Sequence, residues 1–149
     1  MATSAPDVEA TRALMARENK ALNEAGSFDY VDELYADDVI VNMTRTGDDK
    51  PVVSREDIKA LYQEWKTAFP DLRVEVEHET VEGDTAMQYV TMRGTHEGPF
   101  RGIDPTGNEI AVPGFHMRRV QNGKIVETAS VAGMATLLGQ LGVELPIEA

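Results

Sequence analysis

The sequence predicts one α+β domain in which a cone-shaped, curved antiparallel sheet wraps over N-terminal helices. Two stretches of helical period stand near the start of the chain. After Pro70 the hydrophobic period drops from 3.6 to 2, the mark of strands with one buried face. Gly83-Asp84, Pro105-Thr106-Gly107 and Asn122-Gly123 then cut the remainder into strands at turn-forming residues. Helices followed by a run of strands give α+β, and a bent sheet closed by helices leaves a cone suited to a small apolar ligand. At 149 residues and 42% hydrophobic content, residues 1–149 are read as one unit.

The first helix is expected over residues 7 to about 25, with Ser4 or Asp7 as its cap and Gly26 as its stop. Leu14, Met15, Ala21, Leu22 and Ala25 share one face, and Glu18 falls in the middle of it. A second helix opens at Ser54, whose hydroxyl can cap the first turn, while Asp57, three residues on, favours the positive end of the helix dipole. Its apolar stripe is Ile58, Leu61, Tyr62, Trp65 and Phe69, and Pro70 ends it. Next, Leu72, Val74, Val76 and His78 alternate with Arg73, Glu75, Glu77 and Glu79, which places His78 on the apolar side. Strands are expected at 86–95, 109–120 and 124–131, a short helix at about 132–142, and a loose tail at 144–149.

Composition removes several classes of function. With no cysteine, there are no disulfides, thiolate nucleophiles or Cys-based metal sites. Three histidines at 78, 96 and 116, without paired spacing, make a poor metal site. The net charge of −12 repels nucleic acid and anionic membrane surfaces. No apolar run approaches the roughly 20 residues that cross a bilayer. The first residues also lack the basic-then-apolar pattern of a secretory signal, so a cytoplasmic location is expected.

Several blocks run together in a recognisable order. They are NKAL at 19–22, LYADDV at 34–39, AFPDLRVEVE at 68–77, EGD at 82–84, GTHEGPFRGIDPTG at 94–107, HMRRVQNGKIVE at 116–127 and LLGQLG at 137–142. In this order and spacing the chain resembles the SnoaL-like polyketide cyclases, a branch of the nuclear transport factor 2-like fold. The resemblance implies a cone-shaped α+β barrel, a homodimer or homotetramer, and catalysis without metal or organic cofactor. In the cyclases it resembles, a carboxylate and a histidine promote intramolecular aldol closure of a polyketide ester. Members commonly follow NGKIVE with His-Trp-Asp, whose Asp resembles the acid/base of the cyclases. Here Thr128, Ala129 and Ser130 stand at those positions. A serine cannot serve as the base at neutral pH unless something else activates it.

Two residues remain as candidates for proton transfer. A type I turn with a glycine bulge at Gln121-Asn122-Gly123 would set His116 opposite Thr128 and on the face of Ser130, and a two-residue turn would set it opposite Ala129. The first arrangement places His116 where the family's pocket histidine stands, which makes it an acid/base candidate. A hydrogen-bonded histidine on the outer face of the sheet is the alternative. Glu18 is the other candidate, since burial among Leu14, Leu22 and Met15 would raise a lone carboxyl toward neutral pH. Related proteins tend to be aromatic around positions 18 and 19, so Glu18 and Asn19 read as a base moved from strand to helix. Alternatively, Glu18 pairs with an arginine such as Arg118 or reaches the pocket rim.

Asn42, in the strand after LYADD, could hydrogen-bond a developing enolate oxygen, or could be a turn residue before Met43. Thr128 and Ser130 would orient the substrate, and Tyr62 and Trp65 are packing residues that could also line the cavity. His78 reads as a satisfied core histidine, and His96 as a structural residue bonding the turn that follows it. The leading expectation is cofactor-independent acid/base chemistry on a small apolar carbonyl compound, by aldol-type ring closure, isomerisation or ring opening. Epoxide opening by a carboxylate-activated water is a related reading, though the carboxylates form no recognisable set for it. A binding protein that keeps the cone and has lost the chemistry is the contrasting one.

Overall fold

The computed structural model describes residues 5–43 and 52–144. Helix α1 runs Ala5–Glu24, α2 Tyr30–Leu34, α3 Arg55–Ala68 and α4 Met134–Gln140. The strands are β1 Tyr35–Met43, β2 Val52–Ser54, β3 Arg73–Glu82, β4 Thr85–Thr95, β5 Glu109–Gln121 and β6 Lys124–Ala132. They form one curved, unclosed six-stranded sheet in the order β2-β1-β6-β5-β4-β3. The α+β architecture expected from the sequence is therefore present, with one change. β1 lies parallel to β6 while every other pair is antiparallel.

The helix ends follow local chemistry. Ser54 accepts a hydrogen bond from the Asp57 backbone N–H while the Asp57 carboxylate accepts from Ser54 N–H, a complete capping box. At the other end the Phe69 N–H closes on Trp65 O at 2.8 Å, and Pro70 stops propagation. α1 begins at Ala5, earlier than the expected start at residue 7, so Asp7 sits in its first turn and is not its cap, and Ser4 lies outside the described residues. The expected tail falls mostly outside them too. α1 is pinned to the sheet by polar side chains. Thr11 donates to Gly83 O at 2.9 Å, and Asn23 accepts from Val74 N–H at 2.8 Å and donates to Val74 O at 3.0 Å. The Asn23 bonds satisfy backbone groups of β3, an edge strand, and the Thr11 bond holds the turn that follows it.

Two bulges decide which side chains enter the cone. In β3, Val76 pairs with Val90 but His78 pairs with Tyr89, so one extra residue is inserted at Glu77. Beyond it every side chain changes face. The core position expected for His78 is thus overturned: it is exposed and stacks on Tyr89, and Glu79 turns inward in its place. In β6, a second insertion at Val126 follows a two-residue turn whose Asn122 and Gly123 both have positive φ, 53° and 73°. The bulge is in the strand, not in the turn. His116 is consequently opposite Ser130, neither opposite Thr128 nor opposite Ala129 as the two turn geometries foresaw.

The core has two centres. One gathers Met15, Val31, Tyr35, Val39 and Ile125 and takes in Tyr62; the other gathers Phe69, Phe100, Val112 and Leu137 and takes in Trp65 and Met92. The segment between β4 and β5 closes over the second centre. Glu97 and Gly98 N–H both bond Ala68 O, and a Cβ at Gly98 would lie 2.0 Å from Thr67 O, which explains the glycine. His96 is fully buried, and its Nδ1 accepts from the Thr106 backbone N–H at 3.2 Å, the structural role expected of it.

Candidate active site

A cavity of about 150 Å³ opens between α1, α3 and the concave face of the sheet. Leu22, Leu61, Trp65, Leu72, Val74 and Met92 make its apolar wall. Glu18, Tyr62, Gln88, His116, Arg118 and Ser130 supply polar atoms. Interior positions of β5 alternate as Gly114, His116 and Arg118, so one strand delivers two polar side chains to the same face.

Glu18 and Arg118 form an ion pair almost wholly removed from water, with the Arg118 Nε 3.2 and 3.3 Å from the two carboxylate oxygens. The Tyr35 hydroxyl donates to Glu18, and its own oxygen lies 2.6 Å from the Tyr62 hydroxyl. Since the carboxylate can only accept and Tyr35 has one proton, Tyr62 must donate to Tyr35. The chain of donation runs from Tyr62 to Tyr35 to Glu18. Burial, then the Glu18 charge, pushes Tyr35 well above the ordinary phenol pKa, and Tyr62 is raised for the same reasons. Burial opposes the charge on Arg118, yet Glu18, Tyr35 and Tyr62 outweigh it, and its pKa is raised. Arg118 is permanently cationic.

His116 is different. Burial, and after it the Arg118 guanidinium, lowers its pKa to about 2, so the imidazole is neutral. Its Nε2 is hydrogen-bonded to the Gln88 side-chain carbonyl. As opposite partners of an antiparallel pair, His116 and Ser130 point to the same face.

The other candidates take varied places. Asn19 lines the cavity, but its amide donates to Val74 O at 2.9 Å and thus ties α1 to β3. Tyr62 and Trp65 line the wall. Thr128 is buried opposite Arg118 and is not among the lining residues. Asn42 pairs with Ala129 in β1, and its side chain lies outside the described residues. Four participants were not singled out as site residues from sequence: Arg118, Tyr35, Gln88 and Glu79. Gln88 could have been found as the polar residue alternating with Ala86 and Val90 on a buried strand face. Glu79 could not, because its inward direction depends on the bulge.

Comparison with known proteins places the chain in a family. Residues 13–141 match the SnoaL-like polyketide cyclase family. The chain belongs to that family. Its fold aligns with IdmH of Streptomyces antibioticus, a proposed polyketide cyclase. That alignment has 30% identity and a TM-score of 0.78 over 89% of this chain and 99% of IdmH. AclR of Streptomyces galilaeus, a proposed hydroxylase, is 28% identical with a TM-score of 0.80, over 95% of this chain and 86% of AclR. A SnoaL-like protein of Jannaschia sp. CCS1 reaches 0.82 over 97% and 100% of the two chains at 20% identity, a likeness of fold. No curated protein sequence matches the chain at a significant level. Within the SnoaL-like framework, the positions after NGKIVE remain Thr128, Ala129 and Ser130.

Proposed function

We propose that this SnoaL-like protein is a cofactor-independent enzyme that moves a proton on an apolar carbonyl compound, in an aldol-type ring closure or a related isomerisation or ring opening. The observation that carries the reading is a single cavity uniting an apolar wall with neutral His116, Ser130 and the Glu18–Arg118 pair. His116 is the proton-transfer residue. Its low basicity in the empty cavity opposes abstraction, and an enolate forming beside it would restore basicity by favouring the imidazolium. Ser130 and Tyr62 orient the substrate oxygen. Arg118, held by Glu18, supplies a fixed positive field toward the developing oxyanion. Glu18 in this arrangement balances Arg118 and does not act as a free base.

A hydrophobic-ligand-binding protein of the same fold is the second reading. It is favoured by the commitment of Glu18 to Arg118 and by Ser130 at the position of the family carboxylate. Incubating the protein with an aromatic β-keto ester in D2O separates the two. Catalysed exchange of the α-proton, read by mass spectrometry and reduced about 100-fold in His116→Gln, is expected of the enzyme. Saturable binding without exchange would establish the binding protein instead. Self-association into a homodimer or homotetramer belongs to the same proposal. Met87, Phe115 and Val131, 60%, 63% and 54% exposed, are apolar side chains that a second copy would cover, and sedimentation equilibrium measures it.

A further inference from the structure

The hydrogen bonds behind His116 run in one direction. Gln88 Nε2 lies 2.6 Å from Glu79 Oε2, and the other Glu79 oxygen faces Arg12 Nη1 on α1 at 3.5 Å. An ionised carboxylate only accepts, so the amide NH2 of Gln88 must face Glu79. The flipped amide would set a carbonyl against a carboxylate. With its NH2 committed, Gln88 presents its carbonyl to His116 Nε2, and a carbonyl also only accepts. The proton of the neutral ring must therefore sit on Nε2. Among the described residues no hydrogen bond reaches Nδ1.

We propose that Glu79, acting through Gln88, holds His116 as its Nε2–H tautomer and so presents the Nδ1 lone pair to whatever occupies the cavity. Glu79 and Gln88 are positioning residues. The amide between them passes on the direction of the bond but not the negative charge. The imidazole thus has no carboxylate in contact, and the charged groups around it are Arg118 on its own strand, Glu18 on α1 and Glu79 beyond Gln88. That suits a ring kept neutral by burial and by Arg118. The device depends on the insertion at Glu77, which turns Glu79 inward and His78 outward. It deepens the proposed function by giving His116 an acceptor atom, so ligands with an enol, phenol or activated C–H aimed at Nδ1 are favoured over ligands offering an acceptor there.

The experiment is a long-range 1H–15N correlation spectrum of the ligand-free protein labelled at histidine, with the His116 ring assigned by its loss in His116→Gln. At neutral pH His116 should show a protonated Nε2 and an unprotonated Nδ1, with a preference of about tenfold or more, the worth of one charge-assisted hydrogen bond. In Glu79→Gln the Gln88 amide is free to flip, and the Nδ1–H form should become comparably populated. His96, whose Nδ1 accepts from a backbone N–H, should remain Nε2–H in both proteins and serves as the internal reference. A wild-type His116 protonated mainly on Nδ1 would overturn the proposal whatever the variant does, as would an unchanged tautomer ratio in Glu79→Gln. The readout needs no substrate, so a protein that fails to catalyse α-proton exchange can still pass this test, and an active one can fail it.

Discussion

Two polar groups meet the same cavity and are built on opposite principles. Glu18 and Arg118 bring full charges into the interior and neutralise them against each other, with Tyr35 donating to the Glu18 carboxylate and Tyr62 donating to Tyr35. Gln88 and His116 bring in dipoles, with the Glu79 carboxylate kept at the far side of an amide. A buried ion pair is held by mutual need, because each charge left alone bears an uncompensated desolvation cost. A neutral imidazole has a small desolvation cost and can lose or gain partners cheaply. The first group therefore suits a fixed field and the second suits a residue whose protonation changes during a reaction.

The largest effect should come from breaking the charged side. Glu18→Ala leaves Arg118 buried without its partner and should cost about 3–5 kcal/mol in urea unfolding, with a melting temperature lower by about 10 °C. The double change Glu18→Leu with Arg118→Met should recover most of that loss, since a packed apolar pair replaces a buried ionic one with little penalty. A single variant that loses under about 1 kcal/mol would end the contrast.

Tyr35→Phe removes the hydroxyl that joins Glu18 to Tyr62 and should cost about 1.5–3 kcal/mol, the range for a hydrogen bond to a charged group. Unfolding at equilibrium measures it, and a near-neutral outcome would show that the phenol chain adds nothing to the ion pair.

The neutral side should declare itself through pH. The folded-state pKa of His116, about 2, lies below the value of 6.5 for a free histidine. Below pH 6.5 the unfolded chain takes up a proton that the folded chain refuses. Stability associated with His116 is thus fully present above pH 6.5 and falls as pH drops from there toward 2. Its slope approaches about 1.4 kcal/mol per pH unit. His116→Gln should flatten the stability profile by that amount over pH 6 to 4. An unchanged profile would mean that the ring protonates normally in the folded protein.

Ser130→Ala should be the smallest change, under about 1 kcal/mol, because a small hydroxyl on a neutral face is lost. Its effect should appear instead in α-proton exchange, and equal exchange in both proteins would remove Ser130 from substrate orientation.

The fold was largely legible in the sequence because its signals are local. Ser54 and Asp57 formed their capping box, Pro70 ended its helix, and the period-2 stretches became β3 to β6. α2 and β2, each too short for a periodic signal, were not foreseen. The site was legible only in part. Glu18 could be seen on an apolar helix face and Arg118 named as a possible partner, since 3.6 periodicity needs no tertiary information. Glu79 and Gln88 were invisible as partners of His116. Their meeting depends on one inserted residue, and no alternation pattern announces where an insertion falls.

By itself the chain determined the order of its helices and strands, the apolar faces that close a cone, and the Thr128-Ala129-Ser130 triplet that follows NGKIVE. Each follows from propensity, periodicity or identity along a few neighbouring residues. Tertiary structure alone decided that β1 joins β6 in parallel, that Glu18 meets Arg118 across 100 residues, and that Glu79 rather than His78 faces inward. Those outcomes depend on register, and register is settled by which whole sheet best buries its apolar face, a sum over all strands that no single strand contains.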